Sequence, residues 1–402
     1  MASFAERARL FGHDIEALAN GDEIRTIRLV HSLEELRRLM DDDAGEGEHQ
    51  ARLRRYQMNY PELMDEANAS LEALYFRAEV AVHTGRALSN DDRLALQHIF
   101  PVKVTLVSAQ DKTISGEWNL GTNSGPVAVN VETLTIDQGG FVNAVATSVT
   151  FVAKSVNNKS SGGAGANYTF GIFGSAGAAG QAGASQPPGA AGQNGSSSGT
   201  PSPGICTGAK DPTPGTAGGN GAPGGEGQQG SDGTPNLTAN LTFKAITGNP
   251  IYLLTQSGAG GNGGCGGQGG AGGVGGTGGD GCQSGCEGTQ SANGGNGGNG
   301  GNGGDAGNGG NGVLGHPINV TLASGVAASQ FQYGTLMAPA GKGGLAGKAG
   351  VAGFGGAGGS GSGKHRSAGT AGATGEPGNT GKGGSPGQFE GNPGPVTVGT
   401  LG

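Results

Sequence analysis

Seven side chains able to hold a ligand by charge or hydrogen bond, Lys210, Asp211, Gln283, Glu287, Lys364, His365 and Arg366, fall in three breaks of a strict glycine repeat. The breaks span residues 196–214, 282–292 and 362–368; the first is rich in Ser and Pro and the third is basic. Loops on a stiff support commonly carry recognition. Loops joining rods are also polar simply because water solvates them, so the argument for binding rests on three different ones being presented at one end. Cys206, Cys282 and Cys286 lie in the same breaks, whereas Cys265 lies on a run. A Cys282–Cys286 bridge, or one from Cys206 to either, would staple that end and imply an oxidising environment; free thiols are the alternative.

Catalytic constellations are not expected. Glu132 and Asp137 stand nearly alone on strand-like sequence, whereas polysaccharide cleavage needs paired carboxylates. His13, His31, His49, His83 and His98 lack His-Glu-x-x-His or any compact ligand spacing. Cys-x-x-x-Cys without a second pair or a matching His is no zinc site. Gly-x-Gly-x-x-Gly arises by chance among 91 glycines and has no strand-to-helix context here. The sequence therefore reads as a non-enzymatic protein without metal or other cofactor.

The elements that must position the three breaks are the glycine runs themselves. Glycine falls at every third position over 171–195, with Gln186 the one miss, and over 215–233, 341–359 and 369–387. Between 258 and 281 the pattern tightens to Gly-Gly-X. The return run puts Asn293, Asn296, Asn299, Asn302, Asp305, Asn308 and Asn311 in the X slot. A period of three is that of polyproline II, which satisfies none of its own backbone groups and must bond laterally once packed. Only a residue without Cβ allows so close an approach. The Gly-Gly-X runs can touch neighbours on two sides and belong in the middle, with the Gly-X-X runs outside. A disordered tether has no reason to hold this phase, and the runs are too short, interrupted and proline-poor for collagen.

Alternating apolar residues bracket every pair of runs: Val102, Val104 and Leu106; Val127, Val129 and Val131; Val145 to Ala153; Leu237 to Ala245; Ile318, Val320 and Leu322; Phe331 to Met337; Val396 and Val398. Period two reads as half-buried strands. The simplest construction is a β base from residues 101–160, 236–256, 313–338 and 395–402. Three hairpins, 161–235, 257–312 and 339–394, project from it by roughly 60 Å each.

Residues 1–100 differ in composition, with 12 Arg, no Lys and 19 acidic residues of the whole chain's 31, so most of the net charge of −8 sits there. That balance argues against nucleic-acid binding. An apolar stripe of Ala5, Ala8, Phe11, Ile15 and Leu18, a Ser32/Glu35 capping box before residues 33–40, a long helix opened by Pro61 and running to about His83, and a short helix from Asn90 make this a helical module. Residues 23–30 also fit a strand. The module serves attachment or oligomerisation, or is a self-contained cap. Neither a signal peptide nor a membrane span is expected, which places the protein on an extracellular surface or virion by another route.

The Gly-x-x and Gly-Gly-x runs with their three interposed breaks make residues 171–388 resemble the polyglycine-II sandwich adhesins of T-even-type phage tail fibres. The runs are also similar to mycobacterial PGRS repeats and to snow-flea antifreeze proteins. However, the expected PE-type module is absent, and Lys342, Lys348, Phe354 and Lys382 interrupt an ice-binding face. The tail-fibre resemblance implies layered glycine-rich rods with host-binding loops at the far end. The expected class is α+β plus polyglycine-II: an N-terminal helical module, a sandwich or solenoid-like β base, and six polyglycine-II rods in three hairpins. The expected partners are a cell-surface protein or glycan at the tips, and a fibre, coat or second copy at residues 1–100. A structural subunit of a bacterial filament or coat is the alternative function.

Overall fold

In the computed structural model, which describes residues 3–161, 168–198, 210–282, 289–361 and 366–401, the alternating apolar sequence after Pro101 forms short parallel strands stacked coil upon coil. The larger sheet holds, side by side, β1 (Glu23–Val30), β2 (Val102–Ile114), β4 (Val127–Ile136), β6 (Val149–Asn158), β8 (Ala239–Phe243), β11 (Ile318–Leu322) and β13 (Val396–Thr400). An eighth strand, β9 (Ile246–Gly248), also pairs with β6. The second sheet runs β12 (Phe331–Leu336), β10 (Ile251–Gln256), β7 (Phe170–Phe173), β5 (Phe141–Val145) and β3 (Glu117–Thr122). Every neighbour is parallel except β1, which lies antiparallel on β2. Alternate side chains point between the sheets. There Val129, Phe151, Phe243 and Val320 meet Trp118, Val142, Phe170 and Leu253 in one core.

The opposite face of the larger sheet is buried too, beneath α1 (Phe4–Phe11), α2 (Ile15–Ala19), α3 (Leu33–Leu39), α4 (Gly45–Asn59), α5 (Pro61–Met64), α6 (Leu71–Thr84) and α7 (Asn90–Gln97). That face is apolar on β2 and the start of β4, where Val104, Leu106 and Ala128 meet Phe11, Leu39 and Val82, and polar beyond: Asn130, Thr150, Asn240, Thr242, Asn319 and Thr321 are each no more than 2% exposed. Buried polar groups need partners, and the helical layer supplies them. Asn130 donates to the Phe4 carbonyl at 2.9 Å, Thr150 to that of Met40 at 3.0 Å and Thr242 to that of Asp42 at 3.0 Å. Arg52 donates to the Thr321 hydroxyl at 3.0 Å, Asn240 Nδ2 to His83 Nδ1 at 2.7 Å and Asn319 Nδ2 to the Tyr56 hydroxyl at 3.1 Å. Arg52 is itself held 2.8 Å from Asp42.

These contacts correct the expected class. The protein is a mixed α/β fold built on a parallel-rich eight-stranded sheet and a second sheet, with seven α-helices among the described residues, and not a small helical module beside a β base and polyglycine-II rods. The physical reason is the polar outer face of the larger sheet, which needs the helices as a cover. The helix expected from Pro61 to His83 is also broken, because Ser70 caps α6 by accepting from Ala73 N–H at 3.2 Å. The 15-residue α4 went unread because its buried face carries Arg52 and Tyr56 in place of an aliphatic stripe.

The glycine-rich stretches are insertions at one corner of successive coils. After β3 and β5 that corner is turned in a few residues, with Asn123 (φ 47°) and Ala146 (φ 43°) in the left-handed region. After β7, β10 and β12 the chain leaves along segments 171–195, 258–281 and 341–359 and returns along 215–233, 293–312 and 369–387. The coil-to-coil ladder does not stop at the corner. Asn123 N–H bonds the Val145 carbonyl at 2.9 Å, Ala146 that of Phe173 at 2.7 Å and Gly174 that of Gln256 at 2.8 Å, and then Gly177, Gly180 and Gly183 bond Ala259, Asn262 and Cys265 at 2.8 Å.

Two layers result. Outgoing segments bond in parallel, as in Gly263 to Lys342 at 2.8 Å, and so do returning ones, as in Gly218 to Asn296 and Gly297 to Ala373, both at 2.8 Å. Antiparallel bonds join the layers, as in Gly264 to Gln228, Gly298 to Gly273 and Gly353 to Gly298, at 2.8, 2.8 and 2.9 Å. Segments 258–281 and 293–312 are bonded to four others, which is why they alone carry two glycines in three. A Cβ added at Gly298 would lie 2.0 Å from the Gly219 carbonyl oxygen. The X-slot side chains work as well: Oδ1 of Asn293, Asn296, Asn299, Asn302, Asp305, Asn308 and Asn311 each accepts from a backbone N–H of segment 369–388, at 2.7–2.9 Å. By the same phase, the donors at the outer edge of that last segment would be residues 374, 377, 380, 383 and 386. Two of these are Pro377 and Pro386, which have no N–H to offer a further segment.

Gly298→Ala is expected to open the array, lowering resistance to proteolysis by at least tenfold. Asn299→Ala should lose one bond to Glu376 and cost about 1 kcal/mol. Limited proteolysis followed by mass spectrometry compares the two, and equal tolerance contradicts the packing. A second expectation concerns the helical layer. Burial pushes His83 from 6.5 down to about 4, so the unfolded chain takes up a proton that the folded His83 refuses. Stability from this group is complete above its unfolded value of 6.5 and is lost as pH falls towards 4, about 3 kcal/mol in all. Helical ellipticity at 222 nm should therefore melt at lower temperature at pH 4.5 than at pH 7, and His83→Gln should narrow that difference.

Candidate functional site

Where the glycine phase ends, hydroxyl and carboxylate side chains take over the bonding. Ser196 N–H donates to Thr213 Oγ1 at 2.8 Å, Asp280 N–H to Ser197 Oγ at 3.1 Å and Ser360 N–H to Asp280 Oδ1 at 2.7 Å. Thr289 Oγ1 lies 2.6 Å from Ser198 Oγ and accepts from Cys282 N–H at 2.9 Å. Ser291 accepts from Gly281 N–H at 3.1 Å and donates to the Ser360 carbonyl at 2.5 Å. The flanks of all three breaks are thereby tied into one platform at the end of the molecule farthest from the helices. Sequence reasoning did not single out these residues, although each stands where a small hydroxyl or Asp replaces the repeat.

The residues expected to bind divide over this platform. Lys210 and Asp211 are exposed at its rim. Arg366 is half-buried and its guanidinium donates to the Cys282 carbonyl, so it braces the second break against the third. Gln283, Glu287, Lys364, His365, Cys206 and Cys286 lie outside the described residues. Cys282 is 4% exposed and disulfide-bonded, while Cys265 is a free, exposed thiol on its segment.

Elsewhere, the titratable groups are engaged in holding the fold. Glu132 pairs with Lys154 and Asp137 with Lys159, the latter at 3.0 Å, across adjacent coils. Burial would raise the Asp42 carboxyl, but His49 and Arg52 outweigh it and hold the group far below the usual range. Burial would likewise raise Glu79, which the His316 imidazole at 2.9 Å holds down. Burial pushes the Tyr56 hydroxyl up to about 12. Among the described residues, Asp41, Asp42 and His49 bring ligand atoms within 4.8 Å of one another, but Asp42 already serves Arg52. No helix among the described residues is long and apolar enough to cross a membrane.

Cys282 should react with maleimide only after reduction and Cys265 without it, as read by peptide mapping. Cys282→Ser should cost about 2–4 kcal/mol of thermal stability at the far end, an effect that reductant reproduces in the parent and that Cys265→Ser does not. Comparisons with protein-family models, curated proteins and solved structures return no match.

Proposed function

We propose that this protein is a non-enzymatic adhesin or receptor-binding tip protein. The helix-covered sheets form its root, and the three breaks form its recognition end. One observation carries this reading: all three glycine-rich excursions leave from the same corner of consecutive in-register coils. The flanks of the three breaks are therefore brought side by side, roughly 60 Å from the root by the rise of an extended chain. A length of backbone hydrogen-bonded along its whole course and ending in a disulfide-bonded platform suits a spacer that must hold loops against a large surface. The ligand class is a cell-surface protein or glycan, met by Lys210, Asp211, Gln283, Glu287, Lys364, His365 and Arg366. The disulfide at Cys282 fits an extracellular or virion location, where such bonds persist.

The alternative, a subunit of an extracellular filament or coat, draws on the last coil. There β12 and β13 are edge strands with Tyr333, Leu336, Met337 and Val398 exposed. Growth through the glycine-rich layers is opposed by Pro377 and Pro386 at their outer edge. Solution mass over a hundredfold range of concentration separates the two functions: a constant small mass favours the adhesin, and fibres favour the subunit.

The adhesin reading predicts that labelled protein adsorbs to a subset of glycans or cells on an array. Combined replacement of Lys210, Asp211, Lys364 and His365 by Ala, leaving the Arg366 brace in place, should lower adsorption at least tenfold with the circular dichroism spectrum unchanged. Undiminished adsorption by that variant removes the recognition role from these turns.

A further inference from the structure

At the root, α3, α6 and α7 border two adjoining hollows, an outer one of about 540 Å³ and an inner one, nearer the sheet, of about 320 Å³, with Leu33, Leu96 and Phe100 as common walls. Both volumes fall in the range of small-molecule sites. The inner part is apolar, lined by Leu36, Met40, Ala78, Val82, Ile99 and Leu237. The polar groups at its floor are already committed: His316 to Glu79 at 2.9 Å and His83 to Asn240 at 2.7 Å. The outer part is charged, with Arg37, Arg86 and Arg93 facing one Glu34. Arg86 is engaged by Glu66 at 3.0 Å, but the guanidinium groups of Arg37 and Arg93 make no ion pair or hydrogen bond among the described residues. The Arg37 guanidinium lies over Gly85 at the C-terminus of α6, so close that an added Cβ would fall 2.2 Å from its Nη2. Two uncommitted arginines at the mouth of an apolar chamber, in a region of net negative charge, form an amphipathic site.

We propose that these adjoining hollows bind a free small monoanion with an apolar tail. The carboxylate, sulfate or phosphate group would lie between Arg37 and Arg93, and an alkyl or aryl tail would enter past Leu33, Leu96 and Phe100. Guanidinium forks match such oxyanions, and the chamber offers a tail no unpaired polar group.

The test is calorimetric titration of the full chain with decanoate, decylamine and 1-decanol. Decanoate should bind at least tenfold tighter than either of the others, and each methylene removed from its tail should weaken it about fourfold. Arg37→Gln with Arg93→Gln should reduce decanoate affinity at least tenfold while leaving 1-decanol unchanged and helical ellipticity intact. If that variant unfolds, Ala78→Trp, which fills the inner chamber from α6, replaces it and should abolish binding of decanoate and 1-decanol alike. Equal affinity for decanoate and decylamine, no dependence on tail length, or no binding at millimolar concentration overturns the proposal. Co-sedimentation with phosphatidylglycerol vesicles that decanoate fails to displace overturns it in favour of a membrane surface.

Discussion

The whole molecule depends on one constraint, that every buried main-chain N–H find an acceptor. In the sheets this is met by parallel strands in register. Beyond the corner it is met by glycine-rich segments in which one residue in three bonds to the next coil. The two regimes are continuous, since Gly174 to Gln256 and Gly177 to Ala259 join the same two coils that β7 and β10 join. Strands thus set the spacing and direction that the insertions inherit. Side chains add to the cohesion between these segments chiefly through the column from Asn293 to Asn311, whose Oδ1 atoms satisfy backbone donors that a methyl group would strand, with single contributions from residues such as Asn194, Asn220, Ser231 and Asn262.

The helical layer obeys the same rule from the other side. A parallel sheet with Asn and Thr on its outer face cannot be left under apolar helices, and the cover is accordingly built of Arg52, Tyr56 and His83 with the carbonyls of Phe4, Met40 and Asp42. Breaking one partner of the Arg52–Asp42 pair would leave a buried charge. The same interface keeps His83 neutral and Glu79 ionised, so the root is tuned by burial and pairing for rigidity.

Much of this was legible in the residues. The glycine phase marked the six segments, the tightening to Gly-Gly-X marked the two central ones, and alternation marked β4, β6, β8 and β11. What escaped did so for physical reasons. In the second sheet, where alternation marked β12, the strands β3, β5, β7 and β10 are four to six residues long, and β3, β5 and β7 present only two apolar inward positions each, too few to establish a period. The α4 helix buries a guanidinium and a phenol, which a hydrophobic stripe does not reveal. Separating helices from sheet as an independent module failed because polar residues on β8 and β11 looked solvent-facing, when they are the attachment points of the cover. At the far end of the glycine-rich segments, the bracing role of Arg366 escaped because it depends on a carbonyl more than eighty residues away.

The three-residue step has an evolutionary corollary. A hairpin lengthened by one or two residues would present the wrong backbone groups to its neighbours, and one lengthened by a full step alone would stand proud of the others with its new groups unpaired. Reach can therefore change only in discrete increments shared by all segments, a constraint that applies to the repeat and not to the sequence between one run and the next. Such an object keeps its stature while its fingertips diversify.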